Sequence, residues 1–385
     1  MLQPLLQAST SMRERDVASQ VAFPGDTMKV LFIVPRFHTN LFHAVKALRL
    51  AGTEVHLYCR EQAALEDHSF VKPTLIDTRN TTWSQTRRIL TSIDPDLVVI
   101  RKVGRFSKVA FWVCVAQRRR VVAYDQRPLL WPRTLRKVAY DVLRGRPMHR
   151  ITPVRGLKAP GSHSDRFATY LPFPVEATID EDRRIYAPGG TVRIVCVGKL
   201  AEPRKNHFLL LRALEGLADK FAFTVTLVGA TRLNIKHGSS EYLASLYAYA
   251  KEGALADRLT IRADVPFQEM ANIYGQHDIC VLPSESENLG TSPLEAMSHG
   301  CVAIVASDSG CAGYFQDTDC GLIFPTKNQS ALTAVLARLL AEPEEIARMG
   351  RNAARYAKEE FSLETFARRF FALAASRQKW WRSRF

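Results

Sequence analysis

The sequence predicts an α/β chain of two doubly wound domains in succession. Three observations predict it. Short apolar runs recur through the chain and read as strands of parallel sheets covered on both faces. Segments of helical apolar spacing alternate with them, and strand–helix–strand alternation implies a parallel sheet with helices on its two sides. The alternation breaks once, where Pro and Gly thicken between Leu171 and Gly190, and then starts afresh. At 385 residues the chain has room for two domains of ordinary size.

Residues 1–27 hold no apolar stretch long enough for a signal sequence and read as a loose N-terminal extension. Lys29–Val34 is the first strand, and the helix Leu41–Leu50 is stopped by Gly52. Glu54–Cys59, Asp96–Ile100 and Arg120–Tyr124 are further strands, with the helix Phe106–Gln117 between the last two. These make a Rossmann-like first domain over 28–172, followed by a linker over 173–190. The second such domain, 191–362, has strands at Arg193–Val197, Phe223–Val228, Leu259–Arg262, Asp278–Leu282 and Val302–Val305. Its helices fall at His207–Leu217, Glu241–Lys251, Gln268–Tyr274, Pro293–His299 and Asn328–Ala341. The last segment, 363–385, is a helix with Phe366, Phe370, Phe371 and Leu373 on its apolar side, ending in the basic, aromatic KWWRSRF. No run approaches the roughly 18 apolar residues of a membrane span.

The formal net charge of +15 is unevenly carried. Residues 101–158 hold sixteen Lys/Arg against Asp125 and Asp141, and 366–385 hold six Lys/Arg and no acid. The remainder is slightly acidic, so the two patches call for an anionic partner. Residues 101–158 carry no nucleic-acid-binding signature, and their cations are interleaved with Phe106, Phe111, Trp112, Trp131 and Tyr140. Cationic and aromatic residues together suit an anionic membrane surface, and no nucleic acid is expected. Seven cysteines form no CxxC pair, and Cys196 and Cys280 sit inside apolar runs. That usage points to a reducing, cytoplasmic setting and away from a metal site.

Chemistry concentrates in 283–300, PSESENLGTSPLEAMSHG, which leaves a buried strand, turns at Gly290 and enters an amphipathic helix. Glu287 and Glu295 flank a run of backbone N–H groups that a helix start leaves unsatisfied, an anion site between two carboxylates. A second segment, GKLAEPRKN (198–206), brings Lys199, Arg204 and Lys205 to another strand end. A diphosphate leaving group needs such cations, because negative charge builds on it as its bond to a sugar breaks. Ser292 and Glu295 also have the spacing of a helix cap and its reciprocal carboxylate, with Pro293 between, so a capping box competes as the role of Glu295.

GKLAEPRKN, the paired glutamates of ENLGTSPLE with EAMSHG after them, and the terminal FSLETFARRF together resemble the GT-B glycosyltransferases, specifically the retaining family four, and the last implies a C-terminal helix that crosses back to the first domain. The resemblance implies that Lys205 and Lys199, with Arg204, hold the donor's diphosphate. It implies that Glu287 sits by the donor sugar and Glu295 accepts from ribose hydroxyls. It places the amides of Asn288, Leu289 and Gly290, with Thr291 beside them, on the phosphate, and Val265 and Pro266 beside the base. Lys205 and Glu287 are the residues it makes catalytic. A Gly-Gly pair and a His are common in the family's first domain, where this chain reads Phe37-His38-Thr39-Asn40 and Ala123-Tyr124-Asp125-Gln126. His38, Asn40, Asp125 and Gln126 are therefore the candidates for the sugar or acceptor side.

The expectation is a retaining hexosyltransferase peripheral on the cytoplasmic membrane face, using a nucleotide-diphosphate sugar without cofactor or metal. Its acceptor is a lipid-diphosphate-linked saccharide or a growing polysaccharide. Two other classes share the features: a nucleotide-sugar epimerase of the same shape, which needs no acceptor, and a non-catalytic assembly protein on a membrane or nucleic acid.

Overall fold

A computed structural model describes residues 27–36, 39–62, 70–77, 79–101, 104–132, 149–165, 167–176, 190–232 and 238–382. Residues 1–26 of the expected extension, most of the 173–190 linker, His38, residues 133–148 of the basic stretch and the side chains of the KWWRSRF tail lie outside them. The chain forms two compact units, one of 1–153, 163–174 and 360–385, the other of 154–162 and 175–359. The excursion Val154–Ser162 thus groups with the second unit, whereas the sequence reading assigns all of 28–172 to the first. It is held there by Lys158, whose N–H donates to Gln316 Oε1 at 2.6 Å and whose carbonyl accepts from Gln316 Nε2 at 2.8 Å.

The first unit is built on a seven-stranded sheet of β1 (Lys29–Arg36), β2 (Glu54–Glu61), β3 (Thr74–Leu75), β4 (Leu97–Ile100), β5 (Val121–Tyr124), β7 (Arg150–Thr152) and β9 (Ala168–Tyr170). Their order is β3-β2-β1-β4-β5-β7-β9, while β6 (Leu130–Pro132) and β8 (Ser162–Ser164) form a separate pair. Every pairing in the large sheet is parallel, with Val30 facing Val55 on one side and Leu97 on the other. Val30–Val34 are fully buried because helices cover both faces. On one face α2 (Trp83–Ile93) and α3 (Gly104–Ala116) pack Leu90, Ile93, Phe106, Ala110 and Val113 onto Leu31, Ile33, Val98 and Ile100. Elsewhere in the unit, α10 (Leu363–Arg382) packs along α1 (Thr39–Leu50). That return uses Phe366, Phe370, Phe371 and Leu373, the apolar side read from the sequence, all of them buried.

The second unit has six parallel strands, β10 (Val192–Val197), β11 (Phe223–Gly229), β12 (Leu259–Ala263), β13 (Ile279–Leu282), β14 (Val302–Ala306) and β15 (Gly321–Phe324). Their order is β12-β11-β10-β13-β14-β15, so the chain reverses direction across the sheet between β10 and β13. That is the topological switch point, where open α/β sheets leave a crevice beyond the strand ends. The helices are α4 (His207–Glu215), α5 (Ser240–Glu252), α6 (Met270–Gly275), α7 (Ser292–Ser298), α8 (Gln329–Ala341) and α9 (Pro343–Phe361). The sequence reading does not assign α2, α9, β3, β6, β7, β8, β9 or β15. In α9 the buried stripe is Ile346, Met349, Ala353, Ala357 and Phe361, a helical spacing that the sequence reading passes over.

Candidate functional site

Two loops meet at the switch point: 198–206 after β10, and 283–291 after β13. The first hugs the sheet. A Cβ on Gly229, at the end of β11, would collide with the Gly198 carbonyl oxygen, so only glycine admits this approach. The loop then makes a single 3-10 turn, Pro203–Lys205, closed by Asn206 in the left-handed region at φ 55°. In the second loop Gly290 has φ 76°, and a Cβ there would lie 2.6 Å from Leu282 Cδ2. The neighbouring segment braces that loop, Gly310 N–H donating to the Glu287 carbonyl at 2.9 Å and Cys311 N–H to that of Leu289 at 2.7 Å.

The cations expected from the sequence converge here, but they are not free. Lys205 Nζ pairs with Glu287 Oε2, which also lies 3.3 Å from Arg204 Nη1. Arg204 Nη1 donates to the Ser286 carbonyl at 2.9 Å, and Nη2 forms an ion pair with Glu202 Oε2 at 2.7 Å. Lys199 Nζ reaches Glu202 Oε1 at 3.0 Å. The ladder Lys199–Glu202–Arg204–Glu287–Lys205 therefore alternates in sign and leaves one net positive charge. Glu202, which the sequence reading passes over, has a side chain only 1% exposed. Burial alone would raise its pKa. The Lys199 hydrogen bond and the charges of Arg204, Lys199 and Lys205 outweigh that and hold the carboxyl below its ordinary value. Lys205 has a side chain 13% exposed against 47% for Lys199.

Glu295 sits in the first turn of α7, where the Tyr274 hydroxyl donates to its Oε2 at 2.8 Å. The residue is half-buried, and its hydrogen bond to Tyr274 is only partly shielded from solvent. Desolvation pushes its pKa up, against the lowering hydrogen bonds from Tyr274 and Thr291. The capping-box alternative does not match the geometry. The N-cap is Thr291, Ser292 is already helical, and its Oγ donates to the Val197 carbonyl at 3.3 Å. Ser292 thereby ties α7 to the end of β10. Tyr274 is fully buried, stacked on His299 with ring centroids 5.9 Å apart, so Glu295 has a rigid support.

Helix α7 has seven residues and starts at Ser292, so the amides of Asn288, Leu289 and Gly290 belong to the loop and not to a helix start. Among the described residues none accepts from those three N–H groups. Val265 and Pro266 follow β12, with Val265 packed against the cluster of Val195, Val228, Tyr274 and Ala296. Asp264, at φ 52°, accepts from Thr231 N–H at 2.9 Å and so pins this segment to the loop after β11. The signal missed at Glu202 was a single acid within a run of cations; Tyr274 lies 21 residues from Glu295 and carries no local signal.

The first-unit candidates fare differently. Asp125 is drawn into ion pairs with Arg127 at 2.6 Å and Arg150 at 2.9 Å, and Arg150, almost wholly buried, also pairs with Asp165 at 3.0 Å. The Asp125 carboxylate thus joins the end of β5 to β7. Gln126 is half-buried beside it. His38 and the side chain of Asn40 lie outside the described residues. Among the described residues no three His, Cys, Asp or Glu are grouped to hold a metal ion. All seven cysteines are buried and unbridged.

Residues 178–356 match the family model described as glycosyl transferases group 1. Among curated proteins, the chain is 25% identical over 227 residues to a GDP-mannose-dependent alpha-(1-6)-phosphatidylinositol monomannoside mannosyltransferase of Mycolicibacterium smegmatis, covering 57% of this chain and 56% of that one. It is 28% identical over 192 residues to the lipopolysaccharide core biosynthesis mannosyltransferase LpcC of Rhizobium leguminosarum bv. viciae, covering 50% and 52%. The chain thus spans about half the length of the curated relatives it matches. Among solved structures, a glycosyltransferase from Rickettsia africae superposes with a TM-score of 0.71 at 12% identity, over 91% of this chain and 99% of that one. HepE from Anabaena, solved in complex with UDP, superposes with a TM-score of 0.67 at 15% identity, over 91% and 100%.

Proposed function

Since the chain has the GT-B fold and carries a glycosyl transferases group 1 match over 178–356, we propose that it is a glycosyltransferase using a nucleotide-diphosphate sugar. One observation carries this reading: the switch point of the second unit brings together Lys205, Glu287 and a loop with three backbone amides that no described residue accepts from, and Glu295 lies in the first turn of the helix that follows that loop. Cation and amides suit a diphosphate, and the carboxylates suit the hydroxyls of the sugars on its two sides. Lys205 would exchange its ion pair with Glu287 for the donor's β-phosphate and neutralise the charge that grows there as the glycosidic bond breaks. Glu287, released, would take the donor sugar's hydroxyls, and Glu295 those of the ribose. The transfer is of a hexose, with retention and without metal. The two mannosyltransferase relatives support that donor class.

The acceptor on this reading is a lipid-linked saccharide met at an anionic cytoplasmic membrane surface. A face of the first unit supports it. Trp83, Arg87 and Arg88 on α2, and Arg105, Lys108 and Trp112 on α3, are exposed, and neither helix contains an acid. The two helices lie side by side on the sheet, and Arg119 pairs with Asp94 at 2.7 Å where they end. Two tryptophans, 48% and 59% exposed, among cations suit a headgroup layer. The sequence reading begins its patch at 101 and so omits α2. No described helix is long and apolar enough to cross a membrane.

A thermal-shift series with GDP, UDP and their hexose conjugates tests the donor reading. Saturation at a hundred times Kd adds roughly 2.7 kcal/mol, a shift of a few degrees. A chain that responds to no nucleotide is not the transferase proposed. A chain that converts the conjugate without an acceptor is the epimerase instead.

A further inference from the structure

We propose that Arg204 is a positioning residue, a clamp that holds the loop of Glu287 against the turn of Lys205, and that buried Glu202 anchors it. The donor's diphosphate is then met by Lys205, and Arg204 leaves the set of donor ligands in which the sequence reading places it. The inference rests on the nucleoside-diphosphate reading of this pocket and divides its cations by role.

The geometry of the two cations separates them. A guanidinium is a planar fork whose donors point in fixed directions. In Arg204 one arm pairs with Glu202 Oε2 by charge at 2.7 Å, outside hydrogen-bond alignment, while the other donates to the Ser286 carbonyl at 2.9 Å and to Glu287 Oε2 at 3.3 Å. The carbonyl of Arg204 itself accepts from Glu285 N–H at 2.9 Å. Side chain and backbone of one residue thus join the β10 loop to the β13 loop. Turning the fork toward a phosphate would undo both arms and leave Glu202, with its side chain 1% exposed, on Lys199 alone. Removing one partner from a buried carboxylate is costly, because the remaining charge stays desolvated. Lys205 meets no such obstacle. Its ammonium is a point charge on a flexible stem, and moving from Glu287 to a phosphate exchanges one anion for another.

The test uses the full chain as wild type, Arg204→Ala, Glu202→Gln, the double variant and Lys205→Ala. Calorimetric affinity for GDP and UDP is measured over a range of salt concentrations. Hydrogen exchange is followed without ligand at the amides of Glu285, Gly310 and Cys311, which the two loops protect. Arg204→Ala and Glu202→Gln are each expected to weaken nucleotide binding by about tenfold, the scale of coupling within one salt-bridge network, and the double variant no further. Both should keep the wild-type salt dependence and speed exchange at those three amides while β13 stays protected; Lys205→Ala should flatten the salt dependence. The clamp is overturned if Arg204→Ala flattens it too, if Glu202→Gln tightens binding by freeing the guanidinium, or if the two losses add. Should the wild type bind neither nucleotide, the pocket reading fails, and exchange alone decides the clamp: unchanged rates in both variants reject it, faster rates support it.

Discussion

The Tyr274 hydroxyl donates to Glu295 Oε2 across 2.8 Å, joining the end of α6 to the first turn of α7. Burial pushes the phenol well above its ordinary pKa, with the Glu295 charge adding to that effect, so the proton stays on the tyrosine and the carboxylate accepts. Tyr274→Phe keeps the ring on His299 and removes only this donor. The loss should be ~1–2 kcal/mol of stability, the scale of a partly exposed hydrogen bond to a charged group. Affinity for a nucleoside diphosphate should fall while that for its 2′,3′-dideoxy analogue holds, because the proposed role of Glu295 is to accept from the ribose hydroxyls. Equal losses for both ligands would remove Glu295 from the ribose.

Lys205 and Lys199 flank the same turn with unequal burial. Lys205→Ala is expected to lower kcat/KM by about a hundredfold, the usual cost of removing one group that stabilises developing negative charge. Lys199→Ala should cost much less, since its ammonium is half exposed and spent on Glu202. Steady-state kinetics with the preferred sugar nucleotide reads the difference, and comparable losses would make Lys199 an equal partner.

His207 opens α4 fully buried, its ring nitrogen 3.1 Å from the Tyr242 hydroxyl. Burial, with Lys205 nearby, lowers its pKa from 6.5 to about 4. Between those values the unfolded chain binds a proton that the folded chain refuses, so stability falls as pH falls from 6.5 to 4. The full effect is ~3 kcal/mol at one pKa unit per 1.36 kcal/mol. Denaturant midpoints from pH 7 to 4 should show this decline, and His207→Gln should flatten that part of the curve. A histidine-independent profile would mean the imidazole can be protonated in place.

For the α2–α3 face, Arg87→Ala and Lys108→Ala should each weaken binding to phosphatidylglycerol vesicles about fivefold, since a basic residue contributes about 1 kcal/mol at an anionic surface. Nucleotide affinity should stay at the wild-type value. Sedimentation at low and high salt checks it, and binding equal on phosphatidylcholine, or indifferent to salt, would reject the face as a docking surface.

Much of the fold is legible in the residues. Runs such as Lys29–Val34 and Val302–Val305 are apolar because their strands are covered on both sides, and strand identity follows from that burial. Short-range order was equally readable in GKLAEPRKN, where a strand end, a turn and three cations follow one another. Strand order was not, because which strand lies beside β10 depends on pairings between residues far apart in the chain.

By itself, the sequence determined two doubly wound sheets, an aromatic stripe on the last helix, and the cations and paired glutamates of two loops. Tertiary structure decided what those groups face. Placing β13 against β10 set Glu287 on Lys205 and Arg204, packing α6 beside α7 set Tyr274 under Glu295, and in the first unit pairing β5 with β7 drew Asp125 to Arg150. The reason is physical: burial is written locally, in the polarity of each residue, whereas the partner of a charge is fixed only when distant strands pair and their loops are brought within hydrogen-bonding reach.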